Sequence, residues 1–338
     1  MLKELKNKEA KLVSVIIPTY KRKCVIRAIK SVLNQTYSNY EIIVVDDNDE
    51  LSEDRATLIE SMRPYKNHSN IKYIQHTENK KGAAARNTGI HYARGEYIAF
   101  LDDDDCYLPK RLECLVEKLE QFPEFDAVYS SCLSMNQGKI VAFEQATRSG
   151  NFKKDVLLET FRFFTGSNLF FTRKAVMHLQ GFDDSFLRHQ DLEFMVRFFE
   201  HYQILAVNEV LVLKNNDDVL NVPLSDAYLK NKKRYFLTFD SIIQGMSEKE
   251  KEKFYTVHYY SVLKNCIRKK NKAIYRQAKQ ELLRLATLSR KQKFYLWLEK
   301  VNMQVKFMTI KQSYKDWRFK KVINQELLDV IKTYEMFD

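Results

Sequence analysis

The chain has 338 residues, 45% of them hydrophobic, enough for one full-sized core and a smaller appended unit. No apolar run nears the roughly 20 residues that span a bilayer, and the lysine-rich start, Met1 to Lys11, lacks the apolar stretch of a signal peptide, so a cytosolic protein is expected. The five cysteines, Cys24, Cys106, Cys114, Cys132 and Cys266, show no CxxC spacing, which points to buried thiols rather than a disulfide framework or a zinc site.

The overall charge of +12 is unevenly placed: residues 225–338 hold 26 Lys+Arg against 12 Asp+Glu, a net of +14, which leaves −2 for residues 1–224. Such a basic tail meets something anionic: phosphate, nucleic acid or an acidic lipid leaflet. Glycine and proline divide the chain at the same place. All five prolines lie at or before Pro223, and Gly245 is the only glycine beyond Gly181. A turn-rich domain over 1–223 and a helical, basic region over 224–338 are therefore expected.

In chain order, Val13–Ile17 reads as a strand, residues 22–35 as a helix and Ile42–Val45 as a strand. The alternation continues with Ile71–Ile74, a helix over 83–93, the strand Tyr97–Leu101, a helix over 109–121 and the strand Ala127–Tyr129. Apolar strands separated by helices predict an α/β fold, a mostly parallel sheet covered on both faces, whose ligands sit beyond the carboxyl ends of the strands. The second region reads as successive helices over 226–244, from a capping box at Ser247-Glu248-Lys249-Glu250, over 282–298 and over 322–334.

The strand ends carry the chemistry. Asp102-Asp103-Asp104-Asp105 follows the strand Tyr97–Leu101 directly, and four adjacent carboxylates at a sheet end call for a cation. Asp102 and Asp104, two residues apart, can point the same way and offer hard oxygens to Mn2+ or Mg2+, with positions left for a diphosphate. An EF-hand loop fails, because Tyr107 stands where glycine is needed and Pro109 opens a helix inside the loop. Pro18, Thr19, Tyr20 and Arg22 after the first strand, Asp46 and Asp47 after the second, and Gly82 and Arg86 after the third supply a turn, a hydroxyl, an aromatic ring, carboxylates, a close backbone approach and cations. Together with Asp102 and Asp103 they form an expected nucleotide-binding set.

The motifs Pro18-Thr19-Tyr20, Val44-Val45-Asp46-Asp47, Gly82 to Asn87, Phe100 to Asp105 with Pro109, and Gly181-Phe182-Asp183 followed by Gln190-Asp191 resemble, in order and spacing, the family 2 glycosyltransferases of GT-A fold. The resemblance covers about residues 12–215. It implies an inverting transfer of sugar from a nucleotide-diphosphate sugar, with Thr19, Tyr20 and Asp47 or Asp46 on the nucleoside and Arg86 on the uracil or phosphate side. It further implies Asp102 on ribose or metal, Asp104 as the principal metal ligand, and Asp191 as the catalytic base. Two departures stand out: Gln190 replaces the family's usual glutamate, and no histidine follows the final strand, where Asn215, Asn216 and Asp217 are the candidate substitutes.

Glu193, the neighbouring carboxylate, is expected to pair with Arg197 on the helix surface, which leaves Asp191 for chemistry. The acceptor side is expected from Gly166, Ser167, His189 and Gln190. A dehydrogenase is set aside because no glycine precedes Gly82, and a distributive transferase is favoured over a processive synthase because the Q-x-x-R-W motif is impossible before Trp297. The expected partners are a nucleotide-sugar donor, a glycan or lipid-linked acceptor of bacterial cell-surface synthesis, an anionic membrane surface met by the basic region, and a homo-oligomer. Nucleic acid is disfavoured, since it leaves the acidic tetrad unexplained. A non-catalytic nucleotide- or nucleic-acid-binding protein is the rival class.

Overall fold

The computed structural model describes residues 10–161, 163–216, 224–290, 292–294 and 297. They fall into two compact units: one of residues up to 153 with 163–216, the other of Lys154–Phe161 with the described residues from 224 onward.

In the first unit the strands β1 (Val13–Thr19), β2 (Tyr40–Asp46), β3 (Ile71–Gln75) and β4 (Tyr97–Phe100) lie in the order β3-β2-β1-β4, all parallel. The helices between them are α1 (Val25–Leu33), α2 (Glu53–Met62) and α3 (Lys81–Tyr92). The sheet is mixed beyond β4: β8 (Phe170–Thr172) pairs antiparallel with β4 and β6 (Ala127–Asn136), while β6 runs parallel to β9 (Ile204–Asn215). β7 (Lys139–Glu144) and the two-residue β5 (Cys106–Tyr107) add antiparallel pairs to β6 and β9.

Period-two alternation explains how both faces are covered. Val13, Val15, Ile17, Ile42, Val44, Tyr97 and Ala99 enter one core with Val25, Ala28, Ile29 and Val32 of α1 and Leu112 and Leu115 of α4 (Arg111–Gln121). On the other face, the ring of Phe100 lies 5.2 Å from Phe182, and Phe171 lies 5.3 Å from Phe194 in α7 (Gln190–His201). α3 comes close enough to β1 that a Cβ on Gly89 would sit 2.2 Å from Ile16 Cγ2.

Asn87 of α3 joins two of the sequence motifs. Its amide donates to Phe182 O at 2.8 Å and accepts from Phe182 N–H at 2.8 Å, so that the Gly181-Phe182 turn is held as a backbone segment would be. Gly181 sits at φ +73, and a Cβ there would stand 2.4 Å from Asn87 Oδ1. Gly181→Ala is therefore expected to cost about 2 kcal/mol or more, seen as a lower urea midpoint at unchanged slope. An unchanged midpoint would contradict the clamp.

The second unit holds α8 (Ser225–Thr238), α9 (Asp240–Gln244), α10 (Glu248–Arg268) and α11 (Lys272–Leu285), with the short helix α5 (Lys153–Leu157) leading into it. The Ser247–Glu250 capping box is formed. Two expectations need correction. The helix over 226–244 is two helices, because Phe239 leaves helical geometry between them. The one expected over 282–298 is broken by residues 286–289, with α11 ending at Leu285. The helix over 322–334 and the boundary at Pro223 lie outside the described residues. The core of this unit is Leu229, Tyr259, Val262, Leu263, Cys266, Ala278 and Leu282. The buried Lys232 pairs with Glu159 and lies 3.1 Å from His258 Nδ1, whose other nitrogen meets Leu157 O at 2.8 Å. These bonds tie the 154–161 segment into the helical unit. Among the described residues no helix is long and apolar enough to cross a membrane.

Candidate active site

The carboxyl ends of the parallel strands are level: Thr19 stands beside Asp46, Asp46 beside Gln75, and Leu101 N–H donates to Ile16 O at 2.9 Å. The chain leaves β4 at that edge and turns at once, Asp105 N–H donating to Asp102 O at 3.1 Å. The turn spreads the four carboxylates. Oxygens of Asp102, Asp104 and Asp105 come within 4.8 Å of one another, while Asp103 turns aside to Arg22 Nη1 at 3.0 Å, beside the Thr19 hydroxyl. Arg86 pairs with Asp102, and Arg22 with Asp104 as well as Asp103.

Asp105, a member of the converging set, was not singled out by the sequence. The i, i+2 logic that chose Asp102 and Asp104 belongs to a strand, whereas a turn brings i and i+3 together. Asp105 is 2% exposed and accepts from Thr165 Oγ1 at 2.9 Å, Ser167 Oγ at 2.6 Å and the Asn215 N–H at 3.0 Å. Ser167 also accepts from Asp102 N–H at 2.9 Å. Ser167 is wholly buried, so its expected acceptor-side role is corrected to that of a brace beneath the tetrad. The brace is backed by fully buried Arg111 of α4, which donates to Ser167 O at 3.1 Å and Ser130 Oγ at 3.0 Å and lies 4.5 Å from the Tyr107 ring. No local sequence signal marks Arg111.

Burial pushes the Asp103 carboxyl up to about 7, with the charges of Asp104 and Asp102 adding and Arg22 opposing. Asp105 is pushed up to about 8, again first by burial and then by the charges of Asp104 and Asp102. Asp104 moves the same way for the same reasons, against Arg22. The cluster is thus short of positive charge, and its three converging groups are hard, anionic oxygens, which fits a divalent cation of the Mg2+ or Mn2+ type.

On the floor of the site Thr19 is 2% exposed, Pro18 and Tyr20 are half-buried, and the Lys21 ammonium lies 5.2 Å from the Tyr20 ring. Asp46 and Asp47 part company. Asp46 is wholly buried, ion-paired to Arg55 Nε at 2.6 Å and bonded by Asn48 and Tyr73, while Asp47 is 3% exposed. Asp47 Oδ1 meets His76 Nδ1 at 2.7 Å and accepts from Lys80 N–H at 2.8 Å, and Oδ2 accepts from Lys81 N–H at 2.9 Å, which fixes the start of α3 and with it Gly82 and Arg86.

Across the site a Cβ on Gly82 would lie 3.1 Å from Gln190 Nε2, and one on Gly166 would lie 3.9 Å from Asp102 Oδ2 and 4.0 Å from Arg86 Nη2. Gly166 and Gln190 therefore border Asp102 and Arg86. His189, at φ 60, makes the turn into α7, and Asp191 follows in its first turn. Burial raises the Asp191 carboxyl above the ordinary range, and its electrostatic neighbours are Arg86, which opposes, and Asp102, which adds. Glu193 does pair with Arg197 Nη2 at 2.8 Å, but it is 2% exposed rather than on the surface, because Arg197 also donates to Leu179 O and Gly181 O and draws the pair inward. Asn215 contributes its backbone to Asp105, the Asn216 N–H donates to Met135 O at 2.9 Å, and Asp217 lies outside the described residues.

Residues 14–180 match the sequence model of glycosyl transferase family 2. Over that stretch the chain belongs to the family. This family 2 member is 32% identical over 181 residues to a GalNAc(5)-diNAcBac-PP-undecaprenol beta-1,3-glucosyltransferase of Campylobacter jejuni, a match covering 51% of this chain and 55% of the relative. It is 40% identical over 109 residues to the UDP-Glc:alpha-D-GlcNAc-diphosphoundecaprenol beta-1,3-glucosyltransferase WfgD of Escherichia coli, covering 32% and 41%. The chain thus spans about half or less of the length of these two relatives. Among solved structures, Staphylococcus aureus TarS 1-349 in complex with UDP-GlcNAc superposes with a TM-score of 0.54 at 15% identity over 82% of this chain and 93% of that one. The likeness establishes the GT-A fold of this family 2 member.

Proposed function

We propose that the chain transfers a sugar from a nucleoside-diphosphate sugar, UDP-linked, to a hydroxyl of a lipid-linked or cell-surface glycan in bacteria, with inversion and with Mn2+ or Mg2+ bound. The observation that carries this reading is the convergence of Asp102, Asp104 and Asp105 at the level strand ends, with Arg86 and Asp191 beside them. The relatives named for undecaprenol-diphosphate glycans and the TarS complexes with UDP and UDP-GlcNAc support the choice of donor and acceptor classes.

Asp102, Asp104 and Asp105 would hold the cation, which when bound supplies charge neutralisation for a diphosphate leaving group. The chain's own groups do the rest. Thr19, Tyr20 and Asp47 frame the nucleoside, and Arg86 and Arg22 face the phosphates. Asp191 receives the proton of the acceptor hydroxyl on a carboxylate oxygen as that hydroxyl attacks the anomeric carbon. Its raised pKa makes it a stronger base than an exposed aspartate, and a single base on the acceptor side suffices for inversion. A panel of UDP-sugars with Mn2+ or with EDTA tests the reading, and NMR of the product is expected to show a β linkage from an α donor. Retention would remove Asp191 as a simple base, and metal-independent turnover would remove the carboxylate site.

We also place the acceptor's membrane against the helical unit. Arg268, Lys269, Lys270, Lys272, Arg276 and Lys279 are exposed at the turn between α10 and α11 and along α11, with Leu283 53% and Leu285 44% exposed among them. Cations near an anionic leaflet contribute about 1 kcal/mol each, and exposed leucines suit a lipid interface better than they suit nucleic acid. Phe294 and Trp297 are exposed and stacked at 6.0 Å, while Trp317 to Lys321 lie outside the described residues. The intact protein is expected to sediment with phosphatidylglycerol vesicles at low salt and to be released by salt. No binding to them would favour packing or homo-oligomerisation as the use of the basic region.

A further inference from the structure

Two of the three converging carboxylates are held by neutral groups or by Arg86: Asp105 by hydroxyls and an amide, Asp102 by the guanidinium of α3. Asp104 differs. Its Oδ2 is taken by Arg22 Nη1, the nitrogen that also donates to Asp103 Oδ1 at 3.0 Å, while Arg27 Nη2 donates to Asp104 O at 3.1 Å. Arg22 reaches this position from the turn after β1, where Lys21 adopts φ 56 and gives its N–H to Asn48 Oδ1 at 2.8 Å. The Arg22 side chain is 13% exposed, so its charge is poorly served by water and rests on these carboxylates.

An oxygen engaged by a guanidinium N–H has one lone pair fewer to offer a divalent ion, and the two cations repel across the carboxylate. A diphosphate entering with the ion offers Arg22 a replacement partner, for which the guanidinium fork is suited.

We propose that Arg22 is a place-holder for the metal at Asp104 and that it passes to the donor's diphosphate when nucleotide and metal enter together, so that neither binds well without the other. The proposal rests on the donor and metal reading above and adds its order and coupling. Arg22 acts through Asp104 and is in that sense a positioning residue.

The test is binding of Mn2+ alone, followed by the free-ion EPR signal, and of UDP with and without Mn2+, followed by calorimetry, for the wild type, Arg22→Gln and Arg22→Lys. In the wild type UDP is expected to tighten Mn2+ by about 5- to 150-fold, the usual range for coupled sites, and Mn2+ to tighten UDP by the same factor. Arg22→Gln is expected to bind Mn2+ alone more tightly than the wild type and to lose most of this mutual enhancement. Arg22→Lys, which keeps a charge but not the fork, should fall between the two. Unchanged or weaker binding of Mn2+ alone by Arg22→Gln overturns the place-holder. Tighter Mn2+ binding with the enhancement intact reduces Arg22 to a nearby charge and overturns the transfer to diphosphate. Failure of the wild type to bind Mn2+ even with UDP would remove the metal reading itself, and the proposal with it.

Discussion

Asp104→Asn is expected to abolish metal-dependent turnover and the Mn2+-dependent part of donor binding while leaving the protein folded. Even the hydrogen-bond partners of metal ligands are commonly worth roughly 10- to 100-fold, so loss of a ligand oxygen should lower turnover by about 10²-fold or more. The substitution removes one charge from a group in which Asp104 and Asp102 already raise the Asp103 and Asp105 carboxyls, and Arg22 keeps Asp103 as a partner. The melting temperature in EDTA should therefore hold or rise. Turnover retained in this variant, or wild-type turnover undiminished by EDTA, would place the diphosphate elsewhere.

Asp191→Asn is expected to act on a different constant. Donor affinity should stay within a small factor, since Asp191 is not one of the carboxylates that converge after β4, while kcat falls by about 10²-fold or more through loss of the general base. The pH profile carries the sharper signature. Burial, with Asp102 adding, raises the Asp191 carboxyl above the ordinary aspartate value of 3.8, so the wild-type rate should fall as pH drops through that raised value. The acid limb should be missing from the residual activity of the asparagine variant. An unchanged kcat would move the base elsewhere, but Glu193 is closed to that role by its pairing with Arg197 at 2% exposure.

The parallel half of the fold was legible because β1, β2 and β4 are buried on both faces and therefore written as near-continuous apolar runs, such as Val13 to Ile17, interrupted only by Ser14, and Ile42 to Val45. The antiparallel half was not. β5 has two residues and β8 three, too few to display any period, and both are fixed by partners far along the chain, Leu213 and Val212 for one and Tyr97 to Ala99 for the other. The site followed the same division. Residues that stand on strand ends, Thr19, Asp47 and Asp102 to Asp104, could be found from position alone. Asp105, Ser167 and Arg111 took their places from contacts between loops some 50 residues or more apart, as in Ser167 to Asp105 and Arg111 to Ser167 O. Asp46 and Asp47 could not be told apart because adjacent aspartates look alike in sequence, and only the alternation of the strand sends one to Arg55 and the other to the start of α3.

The attachment of residues 154–161 to the helical unit bears on how this protein could be cut or recombined. A boundary drawn at Pro223 looks natural on the linear chain, yet cutting there would remove Lys232 from Glu159 and His258 from Leu157 O. A half-buried carboxylate would be left without its cation in the very stretch that leads towards Thr165 and the brace beneath Asp105. Exchanging the tail for that of a relative would need the matching eight residues from the middle of the transferase sequence to travel with it, a graft in two pieces. Modularity here belongs to the folded object and not to the gene, and shuffling at a single junction would be expected to yield few working chimeras.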